Sequence, residues 1–256
     1  MLKRVVIGSL VAATSWYAFY RTTRWCAAWG VDPREAARAL PGDDLLAAPT
    51  SVDTRGISIA APPEAVWPWL PQMGYGRGGW YSYDVMDMRG KSADAIVPEL
   101  QDLAAGDMVP TDPDGGFVVR SIDPGRSLVL GVDEAVLAAR RSKALEKVPA
   151  GLAASGKLLE TSVPPQFAAS WAFVVEPDGS GGTRLIERFS AWFGASTTGS
   201  RLTGPFMRFG LFVMMRRQML GIRERAERLA REGGPQVAAA TPVAAPEDEP
   251  VAVPMP

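Results

Sequence analysis

The chain has 256 residues, 47% hydrophobic and 21% charged, with a net charge of −1; this allows one large or two small globular domains and offers nucleic acid no basic stripe. It contains no histidine and a single cysteine, Cys26. A Ser-His-Asp or Cys-His triad, an internal disulfide and a Cys/His zinc site are therefore excluded, and any catalysis must use Asp, Glu, Lys, Tyr or Arg.

The N-terminus reads MLKRVVIGSLVAATSWYAFYRTTRW, with Lys3 and Arg4 before an apolar run over residues 5–20 and Arg21 and Arg24 after it. The run is roughly 16 residues, short of the ~20 of a spanning helix, while Trp16, Tyr17, Tyr20 and Trp25 suit a bilayer interface. Residues 1–25 are expected to form a membrane anchor. A signal peptide ending near Val11-Ala12-Ala13 and a helix packed on the domain are the alternatives. The expected location is membrane-associated, with cytoplasmic as the alternative. Residues 26–50 read as a connector: Asp32 can cap a short helix with Pro33 at its first position, and Pro41-Gly42-Asp43-Asp44 breaks it.

Val52–Ala60, with Ile57 and Ile59 two apart, predicts a strand. A helix entered through Pro62-Pro63 follows, with Ala65, Val66, Trp69 and Leu70 at helical spacing. Pro71 and Gly74 end it, and a second short helix is expected from Trp80 to about Met88. A further helical turn is expected within Ala93–Leu103. The period then changes. Asp107–Pro110, Phe117–Ile122, Ser127–Val132, Ser170–Glu176 and Thr183–Phe193 read as antiparallel strands separated by Asp-, Pro- and Gly-rich turns. Residues 134–162 read as an insertion whose helical part, to Val148, has a basic face. Thr203–Arg231 predicts the longest helix, with Pro205 in its first turn and Gly233-Gly234 closing it. Its first half is apolar on nearly every side, which calls for burial. From residue 234 the Ala/Pro/Val-rich composition predicts a disordered tail. The order implies an α+β domain over residues 51–233, in which a curved antiparallel sheet grips the terminal helix and encloses a cavity.

The phrases APPEAVWPWL (61–70), QMG (72–74), GRGGWYSYD (76–84), VPELQ (97–101), IDPGR (122–126), WAF (171–173) and TRL (183–185) resemble the START-like, or SRPBCC, superfamily. The likeness covers about residues 25–232 and is strongest to an actinobacterial branch that often carries a hydrophobic N-terminal segment. It implies the helix-grip fold. It also implies an apolar ligand, since members bind lipids, sterols or polyketides, and some are cyclases or dehydratases. The insertion at 134–162 departs from the expected pattern.

The string Gly74-Tyr75-Gly76-Arg77-Gly78-Gly79 matches G-x-G-x-x-G, with Glu99 downstream, but no strand precedes it and no βαβ repeat surrounds it. Its glycines read better as a tight turn between helices. Around that turn, Trp80, Tyr81 and Tyr83 either line a ligand pocket at its mouth or pack in the core. Arg77 either pairs with Asp84 or Asp87, the commoner outcome, or meets a ligand anion. Glu187 shares a strand face with Leu185, Phe189 and Ala191. Turned inward it would be desolvated, with its pKa raised; turned outward, as charges on one-sided sheets commonly are, it would lie near Arg184 or Arg188. The basic segment and Arg216-Arg217 could meet acidic headgroups but read more simply as solvated faces.

The expected function is binding, as carrier or sensor, of an apolar small molecule or lipid. Arg77, Trp80, Tyr81, Tyr83, Asp84, Trp171 and Glu187 are the ligand-binding candidates, with no cofactor and no metal. The alternatives are a cyclase- or dehydratase-type enzyme on a polyketide-like substrate, with Asp84, Glu187 and a tyrosine as acid and base, and a membrane-tethered interaction module.

Overall fold

A computed structural model describes residues 2–87, 90–113, 115–132, 135, 137, 167–194 and 198–233, with only the backbone for 2–13, 86–87 and 198–205. The expected insertion, apart from Ala135 and Leu137, and the expected tail lie outside the described residues.

The domain is α+β. Six strands, β1 (Ser51–Ile59), β2 (Met108–Asp112), β3 (Gly115–Asp123), β4 (Ser127–Val132), β5 (Phe167–Pro177) and β6 (Thr183–Phe193), form one curved, wholly antiparallel sheet in the order β1-β6-β5-β4-β3-β2. From β2 to β6 consecutive strands pair side by side, and β1 adds to the far edge beside β6. Among the described residues five helices accompany the sheet: α1 (Leu2–Ala27), α2 (Pro33–Ala37), α3 (Pro63–Val66), α4 (Asp84–Asp87) and α5 (Thr198–Arg231). Residues 98–100 form the expected extra turn, as a 3-10 helix.

The core lies between the concave sheet face and α5. Met215, Met219, Ile222, Ala226 and Leu229 recur along α5 at alternating intervals of four and three, the stripe that one helix face presents. They meet Ile57, Ile59, Leu128, Leu130, Phe173 and Leu185 from the sheet, and Val66, Trp69 and Met73 from α3 and the turn after it. α5 begins at Thr198, so Pro205 sits inside the helix, where it removes one hydrogen bond and does not mark the start. At the other end the Gly233 amide donates to Ala230, closing the helix where expected.

Three expectations change. The second short helix does not begin at Trp80, because Tyr81 has φ 56°, a left-handed value that no helix accepts; only Asp84–Asp87 is helical. The Tyr81 backbone is held there by α5. A Cβ on Gly221 would stand 2.1 Å from the Tyr81 carbonyl oxygen, so only glycine permits the approach. Gly221→Ala is expected to destabilise by about 1–3 kcal/mol, more than the ~1 kcal/mol that alanine contributes in an open helix. Gly210→Ala, on the same helix with nothing within 4 Å of its Cβ position, is the control and is expected to stabilise. Thermal melts of the two variants check this: equal shifts would remove the close approach as the reason for Gly221.

Residues 28–45 are more than a connector, for they cover the convex face. The Arg188 guanidinium donates to Thr54 Oγ1 (2.9 Å), Ala36 O (2.8 Å), Arg38 O (2.9 Å) and Asp43 Oδ2 (2.6 Å), while Arg184 clamps Glu35 with both nitrogens. Leu40 packs on Val174 and Ile186. The central strands are thus covered on both faces, as the uninterrupted run of β4, SLVLGV, already suggests.

Among the described residues no helix is long and apolar enough to cross a membrane, which corrects the expected spanning anchor over residues 5–20. The run is short, and its aromatic end is used for packing on α5. Phe19 lies 4.7 Å from Phe206 and 6.4 Å from Phe209 between ring centroids, and Trp25 lies 5.8 Å from Phe212. Thr23 and Cys26 complete that buried face of α1, and burial pushes the Cys26 thiol pKa up.

Candidate functional site

Alternation along β1 and β6 places an ionisable cluster on the concave face. Ile57 and Ile59 point into the core, so Asp53 and Arg55, four and two residues before Ile57, point the same way. On β6, Leu185, Glu187 and Phe189 share that face, and Glu187 sits opposite Arg55 in register. The commoner outward expectation for Glu187 is therefore overturned. Arg184 and Arg188, expected as its neighbours, lie on the convex face.

Arg55 is fully buried and satisfied by three elements. Its Nε donates to Cys26 O of α1 (3.0 Å), Nη1 to Met215 Sδ of α5 (3.1 Å) and Nη2 to Asp53 Oδ2 (2.8 Å), with the Phe212 ring 5.7 Å away. Asp53 also receives Arg208 of α5, whose Nε donates to Oδ1 at 2.8 Å. All three guanidinium nitrogens of Arg55 are thus engaged away from Glu187.

Glu187 is fully buried, and its only hydrogen bond among the described residues is from Trp171 Nε1 to Oε1, at 2.7 Å. Oε2 has no partner among the described residues. Burial pushes the carboxyl up to about 7, the field of Arg55 and the Trp171 bond pulling it back and Asp53 adding to the rise. Because Oε1 accepts the indole N–H, the proton of the neutral acid belongs on Oε2. The group thereby becomes a hydrogen-bond donor inside an apolar surround.

Trp171 is the hub of that surround. Trp80 stacks on it at 5.4 Å and 15°, Phe117 and Phe189 meet it edge-on at 5.4 and 6.1 Å, and Phe173 lies 5.0 Å away. Phe117 and Phe189 are only half-buried, so the aromatic group has an accessible side. Three of the candidates, Trp80, Trp171 and Glu187, are therefore brought together.

The other four are not. Arg77 meets neither Asp84 nor Asp87; its Nε donates to Met73 O (3.1 Å) and its Nη2 to Pro71 O (3.0 Å) and Leu100 O (3.4 Å), which ties the glycine loop to the chain at residue 100. Tyr81 is buried edge-on against Trp69 beneath the Arg225 guanidinium, 4.9 Å away. Its hydroxyl has no hydrogen-bond partner among the described residues, although the Gln72 amide is near, and burial pushes its pKa well above the usual phenol value. Asp84 accepts from Ser92 Oγ (2.5 Å), which in turn accepts the Tyr81 N–H (3.1 Å), so Asp84 steadies the left-handed residue. Tyr83 is exposed. The glycine loop closes on itself, with Gly74 and Gly79 exchanging amide bonds of 3.1 and 3.2 Å, which leaves no cradle of free amides for a phosphate. No group of three His, Cys, Asp or Glu among the described residues could hold a metal ion.

Asp53, Arg55 and Arg208 were missed as members of the cluster. The β1 part was readable, because alternation from Ile57 and Ile59 backwards turns Asp53 and Arg55 inward. Arg208, the lone charge in the apolar stretch 206–215 of α5, needed a partner that only the fold supplies.

An antiparallel sheet closed over a long C-terminal helix, with β1 at the edge beside the last strand, is the helix-grip arrangement. No protein-family model matches the chain, and no curated protein matches it. Among solved structures, a protein from Mesorhizobium loti is similar at 14% identity over 70% of this chain and 98% of its own, with a TM-score of 0.37. The Aha1 dimer from Colwellia psychrerythraea follows at 13%, 68%, 99% and 0.32, and CalU16 from Micromonospora echinospora at 13%, 70%, 85% and 0.27. Likeness of this degree carries no argument about the chain; the strand order and the gripped helix carry the fold.

Proposed function

We propose that the chain is a START-like binding protein for a neutral, largely apolar molecule, held on the concave face against Trp80, Phe117, Trp171 and Phe189. The observation that carries the reading is Glu187, a carboxyl kept in the core with one oxygen unpartnered. An unpaired buried polar atom costs about 1–3 kcal/mol and persists where something else uses it. A ligand carbonyl or hydroxyl accepting from Oε2 would satisfy it, while the aromatic edges take the apolar body.

Organic extraction of the purified chain followed by mass spectrometry tests the reading directly, with a co-purified apolar species expected. The carbonyl-bearing neutral dye Nile red provides a titration. Binding is expected to weaken as pH rises through about 7, where Glu187 loses its proton, and Glu187→Leu is expected to weaken it roughly tenfold at acidic pH. Absence of any extracted molecule together with no dye binding would sink the proposal.

The enzyme reading is favoured by the same group, since a carboxyl that keeps its proton near neutrality is suited to act as a general acid. Among the described residues it lacks a second participant: Arg77 and Asp84 are committed to holding the 71–100 region, and Tyr81 is buried with its ring beneath Arg225. Turnover of a bound polyketide-like substrate, lost in Glu187→Gln, would favour it.

A further inference from the structure

α1 and the first half of α5 leave a joint surface that the domain core does not use. On α1, Phe19, Thr23 and Cys26 turn toward α5, and the adjoining arc carries Trp16, Tyr17, Tyr20, Arg21 and Arg24, all exposed. At 100° per residue these five fall on one continuous side of the helix. On α5, Phe206, Met207 and Phe209 are exposed at 60%, 74% and 39%, against the expectation that this apolar half would be enclosed by the sheet. The two patches are continuous, because Phe19 touches Trp16 on its own helix and Phe206 and Phe209 on the other.

The charge pattern says what covers this surface. No Asp or Glu occurs over residues 1–31 or 188–223, although the chain as a whole has 28 acidic residues against 27 basic. The face is therefore aromatic, apolar and positive on a molecule whose net charge is close to zero. A second copy would bring two positive faces together, which like-charge repulsion opposes. Tryptophan and tyrosine beside arginine, with phenylalanine and methionine next to them, match the layered chemistry of a bilayer surface: anionic headgroups outside, acyl chains beneath.

We propose that the α1/α5 face lies on an anionic lipid surface, as a peripheral two-helix dock and not as a spanning anchor. Phe206, Met207 and Trp16 enter the acyl boundary, while Arg21 and Arg24 meet the headgroups. This dock is independent of what the concave face binds.

Flotation of the full chain with phosphatidylcholine vesicles, with and without phosphatidylserine, tests it. Binding is expected only where phosphatidylserine is present, to fall with salt, and to be released by an alkaline carbonate wash. Arg21→Gln with Arg24→Gln is expected to weaken it roughly 30-fold with the melting temperature unchanged, because both side chains are exposed, and Phe206→Ser with Met207→Ser at least ~10-fold, with a lowered melting temperature because Phe206 also packs on Phe19. Any of four results overturns the proposal: no vesicle binding, equal binding to both vesicles, variants that bind like the parent, or resistance to the carbonate wash, which would make α1 an integral segment. A dimer in solution that dissolves in the Phe206→Ser variant would likewise replace the lipid by a second copy.

Discussion

Glu187→Gln is expected to make the protein more stable at about pH 8 and to flatten its pH dependence. In the unfolded chain the carboxyl titrates near the ordinary glutamate value, ~4.3, whereas in the folded protein it keeps its proton to about 7. Between those values the folded state holds the extra proton, so stability falls as pH rises through the window and the full penalty stands above it. The penalty is on the order of 3 kcal/mol, for a group with no exposed surface to soften it. Glutamine keeps an acceptor for Trp171 Nε1 and mimics the neutral acid, so it is expected to remove that penalty. Denaturant unfolding of parent and variant from about pH 5 to about pH 8 measures it, and parallel curves would mean that Glu187 is not the buried acid described. A residue whose replacement stabilises the protein is the kind retained for binding or chemistry, which joins this result to the proposed function.

Arg55→Met is expected to have the opposite sign and the largest effect, a loss of about 3–5 kcal/mol. Arg55 holds α1 through Cys26 O, α5 through Met215 and β1 through Asp53, with no exposed surface of its own. Methionine fills much of the volume but satisfies none of these acceptors, and Asp53 is left with Arg208 alone. Glu187 also loses the field that lowers its pKa, so its titration is expected to move further up. The combination with Glu187→Gln is expected to cost less at about pH 8 than the two single effects predict, because the uncompensated charge beside the vacated site is gone. Additive effects would place Arg55 and Glu187 in separate environments.

How far the chain could be read from its residues differs from one element to the next. All six strands and the gripped helix follow from period and punctuation: Ile57/Ile59 alternation, the Pro-Asp-Gly turns and the 215–229 stripe are local signals, and local sterics set them. Trp80, Trp171 and Glu187 were legible as candidates, since Glu187 alternates with Leu185, Phe189 and Ala191 along one strand face, although the sequence does not say which way that face turns. The failures have a common physical form. Arg77, Asp84 and Tyr81 stand in the same phrase as Trp80, yet Arg77 turns back to the carbonyls of Pro71, Met73 and Leu100, while a left-handed residue at 81, passed closely by Gly221, accompanies Asp84 on Ser92 and Tyr81 beneath Arg225. Residues 26–50 read only as a connector because no residue within them reveals that Arg184 and Arg188, ~150 positions away, come to lie beneath them.

The sequence by itself determined the strand and helix periods, the absence of histidine chemistry and the acid-free stretches 1–31 and 188–223, because these are properties of order and composition. Only the tertiary structure decided which way Glu187 faces, what partners Arg55 and Asp53, and where the apolar half of α5 goes. Sidedness, pairing and desolvation depend on contacts between residues far apart in the chain. One of Glu187's oxygens is held by Trp171 on the neighbouring strand and the other is left with its proton. That is a consequence of β5 and β6 lying side by side, with the single guanidinium opposite already committed elsewhere.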